Sequence, residues 1–170
     1  MKITASSVIP ADRARVFAAL TDPGILQRAI PGCESLTATG PDTYEATLKV
    51  GVAGLKGTYK GTATIRDKKE PESLTLAFEG KGGPGFVRGT AGITLAEEAG
   101  ATRLDSVADV QVGGLIAAVG SRLVEAASRK LSDDFFRQLS QQLEAHYDNP
   151  TEHPEAGRQA LSSAQLRQAP

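Results

Sequence analysis

Few side chains in this 170-residue sequence are of the types that carry chemistry, and their spacing does not assemble them. Both histidines, His146 and His153, fall at the end of the last helical segment or beyond it. The body of the chain therefore has no imidazole for a Ser-His-Asp or Cys-His arrangement. With Cys33 as the one cysteine, a transition-metal site lacks its usual ligands, and none is expected. GVAGLKGT (51–58) lacks the Gly-Lys-Ser/Thr ending of a phosphate-binding loop. GPGFVRG (83–89) has the wrong spacing, and no following helix, for a dinucleotide fingerprint. Asp133-Asp134 and Glu97-Glu98 are sequence neighbours and read as solvated surface charge. Cys33 reads as a small buried hydrophobe. Glu34, Tyr44, Tyr59 and Arg88 remain as the candidates an acid–base mechanism would need. No catalytic residue is assigned.

Composition points to a globular chain outside the nucleic-acid binders. Hydrophobic residues make up 40%, enough for a core, while aromatics are only 5% with no Trp, so large core fillers are scarce. The 19 basic and 20 acidic residues leave a net charge of −1 and no basic stripe, which argues against nucleic acid as a partner. The N-terminus MKITASSVIP has no apolar run of signal-peptide length, and no stretch reaches the ~18–20 apolar residues of a membrane span. One cysteine suits a reducing compartment. A soluble, cytoplasmic protein is expected.

The elements that would position a site follow from periodicity. Residues 2–9 alternate and are rich in β-branched side chains, which predicts a strand. Pro10 is expected to open a helix over 11–20 with Val16, Phe17 and Leu20 on its apolar face. Asp22-Pro23 supplies a cap and a first-turn proline for a second short helix ending before Pro31. Six alternating segments follow, near 34–39, 43–50, 57–66, 73–80, 87–96 and 101–112, and imply an antiparallel meander. A long helix is predicted over 115–146, with Leu115, Val119, Leu123, Ala127 and Leu131 every four residues and Gly120 inside it. The order predicts an α+β fold: a seven-stranded antiparallel sheet wrapped around the long C-terminal helix, with two short helices after the first strand. Residues 1–147 form that domain, and 148–170 read as a polar, disordered tail.

The two ends of the meander differ in chemistry. Turns at 38–42, 67–73 and 96–101 are charged. Segments 51–57, 81–86 and 112–118, with 30–34 beside them, are glycine-rich and carry Val52, Leu55, Phe86, Leu115 and Ile116. Clustered apolar residues at one rim point to a binding surface. On the sheet, Gly61, Ala63, Gly89, Ala91 and Ala108 share the inward face. Small residues there leave either an unfilled cavity or room for sheet curvature and close helix approach. Gly113, Gly114 and Gly120 read as the hinge of a gate at the start of the helix.

Two stretches carry a family resemblance. TDPGILQRAIPGCESL (21–36) resembles the Asp-Pro-helix-Ile-Pro-Gly-Cys-Glu signature of the carbon monoxide dehydrogenase G-subunit family. GPGFVRGTAGITL (83–95) and VQVGGLIAAVGSRLVEAASRKLSDDFF (110–136) resemble that family's second half, and the likeness spans about residues 1–146. It implies the START-like helix-grip fold of the polyketide cyclase/Bet v 1-like superfamily. It also implies a non-catalytic accessory role beside a molybdenum-containing carbon monoxide dehydrogenase or related hydroxylase, recruiting it to the membrane. The tail departs from that picture: residues 155–168 could form only a weakly amphipathic helix.

The leading expectation is a carrier whose cavity binds an apolar molecule, such as an isoprenoid quinone or other lipid, non-covalently. Its walls would draw on Phe17, Leu20, Ile30, Tyr59 and Phe78 from the body, with Phe86, Ile116, Val119 and Leu123 from the gate side. Tyr59 would orient a ligand carbonyl. Val52, Leu55, Phe86 and Leu115 would form a rim touching lipid. A START-like cyclase or isomerase, and an assembly factor with a collapsed interior, are the alternatives.

Overall fold

The structure, a computed structural model, describes the backbone of residues 1–148 and side chains through Glu144. Apart from Asp148, the tail expected at 148–170 lies outside the described residues. The chain runs β1 (Lys2–Ile9), α1 (Arg13–Leu20), α2 (Pro23–Ala29), β2 (Cys33–Gly40), β3 (Thr43–Val50), β4 (Gly57–Lys69), β5 (Ser73–Gly82), β6 (Gly85–Glu98), β7 (Ala101–Gly114), α3 (Leu115–Ala118) and α4 (Ser121–Asp148). Strands β2 to β7 pair in sequence as an antiparallel meander, and β1 joins the far edge against β7, from Lys2 opposite Asp109 to Ile9 opposite Thr102.

Local chemistry explains the helix starts. Asp12 caps α1 by accepting from the Arg15 amide at 2.8 Å, so Pro10–Asp12 form a lead-in and the helix begins later than the proline suggests. Asp22 accepts from the Gly24 and Ile25 amides, and Pro23 occupies the first helical turn of α2. Thr102 is fully buried, and its hydroxyl donates to the Ala11 carbonyl at 2.7 Å, tying that lead-in to β7. Thr102→Val would leave the carbonyl unpaired. We expect a loss of about 1–2 kcal/mol in chemical denaturation, and an unchanged midpoint would contradict this account of the lead-in.

The long helix differs from the expectation. Residues 115–118 make a single turn, Gly120 takes φ +96°, and its carbonyl accepts from the Val124 amide, so Gly120 heads α4 instead of sitting inside one continuous helix. Gly113 and Gly114 belong to β7, paired with Phe86 and Gly85. From the break onward α4 buries Val124, Ala127, Phe136, Leu139 and Leu143. The four-residue stripe from Leu115 does not face inward throughout, because each step of four overshoots a helical turn by about 40°.

α4 is fastened at one end. An Arg15 guanidinium nitrogen donates to the Leu143 carbonyl at 2.8 Å, and Arg28 Nε donates to Gln142 Oε1 at 2.8 Å. With its amide nitrogen turned toward α2, Gln138 donates to the Arg28 and Ala29 carbonyls at 3.0 and 2.9 Å, satisfying groups at the end of that helix. The helix packs on α1, α2 and β1, with no comparable approach to β2–β5 among the described residues. Its N-terminal half meets the sheet through side chains, Val124 and Ala127 packing with Tyr59 beside Leu48, Val50 and Val87.

Candidate functional site

The gap under α4 is apolar. Buried hydrophobic residues form two clusters where a domain usually has one contiguous core. One gathers α1, α2 and the C-terminal half of α4 around Ile9, Val16, Leu104 and Leu139. The other joins Leu55, Tyr59, Ile116, Val124 and Ala127. Between them lie two lobes of about 430 and 340 Å³. Both are bounded by Ile30, Leu36, Leu48, Ala63, Phe78 and Leu131, so they adjoin along one wall. Their sizes fall in the range of small-molecule sites.

The strands supply this wall through alternation. On β3, Leu48 and Val50 face inward; on β5, Leu74, Leu76 and Phe78 do so. Leu20 reaches the first lobe from α1, and Ile30 and Pro31 come from the turn after α2. Phe135 closes the first lobe from α4. A Cβ on Gly61 would strike the Glu79 carbonyl, and one on Gly89 the Asp109 carbonyl. Those two glycines permit close strand approach, while Ala63 is the small residue that leaves wall space.

Polar groups at the wall are few. Tyr59 is buried and its hydroxyl donates to the Leu55 carbonyl at 2.7 Å, closing the 51–56 loop, so its proton is already committed. Ser128 Oγ donates to the Val124 carbonyl at 2.8 Å. Tyr44 donates to the Thr21 carbonyl at 3.4 Å. Burial pushes both phenols above their ordinary values, and for Tyr44 the nearby Asp42 carboxylate adds to the rise. Both are therefore neutral at physiological pH.

Of the residues expected to line a cavity, Leu20, Ile30, Tyr59 and Phe78 are brought to it. Phe17 and Ile116 instead pack in the two clusters. Phe86 lies on the opposite face of β6 from Val87, its ring covering Gly113 with Arg88 above it at 5.6 Å. Val119 and Leu123 do not line the cavity: they are 40% and 41% exposed and border neither lobe, because the Gly120 break and the helix phase turn them outward. They lean on the 51–56 loop, where a Cβ on Gly54 would stand 2.8 Å from Leu123.

The rim divides likewise. Leu115 is 70% exposed, Leu55 is buried against Tyr59 and Ile116, Val52 packs partly on the same cluster, and Phe86 lies on the outer face. Gly113 and Gly114 do not form a free hinge, since a Cβ on Gly113 would enter the Phe86 ring and one on Gly114 would stand 2.9 Å from Gly85 Cα. Gly120 has open space around it and takes φ +96° at the break between α3 and α4. Gly120→Ala is expected to lower stability by about 1–2 kcal/mol through backbone strain alone. A thermal melt unchanged by the substitution would show that this left-handed conformation is not under constraint.

The acid–base candidates are not assembled. Glu34 is exposed on β2, Arg88 lies on the outer face, and Tyr44 and Tyr59 sit at different ends of the cavity wall. Burial pushes the Cys33 thiol up, and it contacts the Ser35 carbonyl at 3.4 Å. Among the described residues, no group of three or more His, Cys, Asp or Glu is placed to hold a metal, and no helix is long and apolar enough to cross a membrane. Sequence reasoning missed Leu36, Leu48, Val50, Leu76, Leu131 and Phe135. The period-two pattern of β2, β3 and β5 contained the strand members; the helix pair required knowing the phase of α4.

The chain's likenesses agree with this geometry. A conserved protein from Geobacillus kaustophilus superposes with a TM-score of 0.82 at 33% identity, covering 86% of this chain and 97% of that one. A Thermus thermophilus protein gives 0.64 at 17%, covering 85% and 98%. The Bet v 1-type allergen Ara h 8.0201 gives 0.61 at 15%, again covering 85% and 98%. The latter two likenesses show the helix-grip fold alone. No curated protein matches. The family model for the G subunit of carbon monoxide dehydrogenase, CoxG, matches residues 6–144, nearly all of the described domain. A seven-stranded grip around a C-terminal helix and a match of that length together place this chain in the carbon monoxide dehydrogenase G-subunit (CoxG) family, a family of accessory subunits.

Proposed function

We propose that the protein is a non-catalytic carrier. It binds an apolar molecule, an isoprenoid quinone being the candidate, between α4 and β2–β5. In this reading it also links a molybdenum-containing carbon monoxide dehydrogenase or related hydroxylase to the membrane. The observation that carries the binding part is the split interior: two packed clusters with two adjoining apolar lobes beside them. An apolar concavity of this size left open to water is unfavourable unless a ligand covers it. Family membership supports the dehydrogenase as partner.

The membrane part is supported by one end of the molecule. Leu115, Val119 and Leu123 are exposed there. Segments 49–58, 80–88 and 112–124 carry Lys49, Lys56, Lys81, Arg88 and Arg122 and no acidic residue, in a chain of net charge −1. Exposed leucines flanked by cations suit an anionic lipid surface.

Organic extraction of protein purified without detergent, followed by mass spectrometry, tests the reading. We expect a neutral isoprenoid lipid in stoichiometric amount. Protein that carries no lipid and takes none from quinone-loaded vesicles would sink it.

A further inference from the structure

We infer that the cavity selects an uncharged apolar molecule bearing a hydrogen-bonding oxygen, and that Ser132 on α4 receives that oxygen. This rests on the carrier reading and narrows its ligand class.

The charge argument comes first. Among the described residues, no Lys, Arg or His borders either lobe. Glu79 is the one charged residue at the wall among the described residues; it is exposed and points away from the interior, next to inward-facing Phe78. A carboxylate or phosphate head carried into this space would find no cation to pair with. Burying an ionised group unpaired in a low-dielectric interior is strongly unfavourable, whereas a carbonyl or hydroxyl needs only one partner. Fatty acids and phospholipid heads are thereby disfavoured, and ketones, quinones and alcohols are admitted.

Ser132 is identified by what its neighbours already do. In the second lobe the inward-facing hydroxyls, those of Tyr59 and Ser128, donate to backbone carbonyls at 2.7 and 2.8 Å. Ser140, further along α4, donates to the Phe136 carbonyl at 2.9 Å. Serines in helices commonly bond back one turn in this way. Ser132, one turn after Ser128, makes no such bond and has no hydrogen-bond partner among the described residues. It borders the first lobe between Leu131 and Phe135. Tyr44, also in that lobe, makes only the long 3.4 Å contact with Thr21 and can add a second weak interaction. The oxygen-bearing end of the ligand therefore lies in the first lobe, and its hydrocarbon remainder extends toward Tyr59 and Val87 in the second.

The test is displacement of the neutral fluorophore N-phenyl-1-naphthylamine from the full-length protein by three chain-matched competitors at mildly alkaline pH. These are 2-tetradecanone, tetradecane and tetradecanoate. We expect the ketone to displace at a concentration at least about fivefold below that of the carboxylate. Ser132→Ala should raise the ketone's half-displacing concentration about fivefold and leave that of tetradecane unchanged. Alanine suits a helix, so the variant should fold as the parent does. Tetradecanoate matching the ketone, or a ketone advantage over tetradecane that survives Ser132→Ala, would overturn the inference while leaving the carrier reading intact. Failure of the fluorophore to bind, or of all three competitors to displace it, would overturn both.

Discussion

Leu131→Trp should weaken uptake of a quinone probe at least about tenfold, roughly 1.4 kcal/mol, while the protein stays folded. Leu131 is the α4 residue common to both lobes, opposite Leu48 and Ala63. An indole projecting from there would occupy the volume a ligand needs. Because the space is already open, it should be accommodated without the strain that overpacking causes in a filled core. Val119→Trp is the matched control: Val119 is 40% exposed and borders neither lobe, so uptake should be unchanged. The measurement is fluorescence titration of both variants with circular dichroism as the folding check. Full uptake by folded Leu131→Trp would show that the ligand sits elsewhere.

Leu139→Ala should have the largest effect on stability. Leu139 is fully buried on the fastened half of α4, among Phe17, Leu20 and Leu104 of the larger cluster. Removing three carbons from a site that cannot collapse costs about 2–5 kcal/mol. In a domain of this size each kcal/mol lowers the melting temperature by about 2–4 °C, so a drop of roughly 10 °C is expected. Leu131→Ala, at the lobes, should fall well short of that, since part of its side chain already faces open space. Calorimetry on the two variants compares the halves directly. Equal losses would mean that α4 is packed uniformly and that no cavity lies beneath it.

Period-two alternation made the meander legible, because each strand has one face toward α4 and one toward solvent. Asp22-Pro23 located α2 for a similarly local reason. The site was legible only in part. Leu20, Ile30, Tyr59 and Phe78 could be chosen because a strand's inward face, or the end of a capped helix, is fixed by a few neighbours. Val119 and Leu123 could not be placed, because a glycine at φ +96° resets the direction of the helix and the sequence offers no count of turns across it. The same applies to Gly113 and Gly114, whose role depends on the Phe86 ring and the Gly85 backbone from the paired strand. Tyr59 has the chemistry of a ligand handle, yet its proton goes to Leu55 in the loop that packs beside it.

The central claim is that the space between α4 and β2–β5 holds the ligand. The most direct measurement is methyl NMR of protein labelled at Ile, Leu and Val, titrated with decylubiquinone. The account predicts shifts concentrated at Leu36, Leu48, Val50, Leu76 and Leu131, with Val8 and Val107, exposed on the sheet, unmoved. Shifts confined to Leu115, Val119 and Leu123, with the cavity methyls silent, would contradict it.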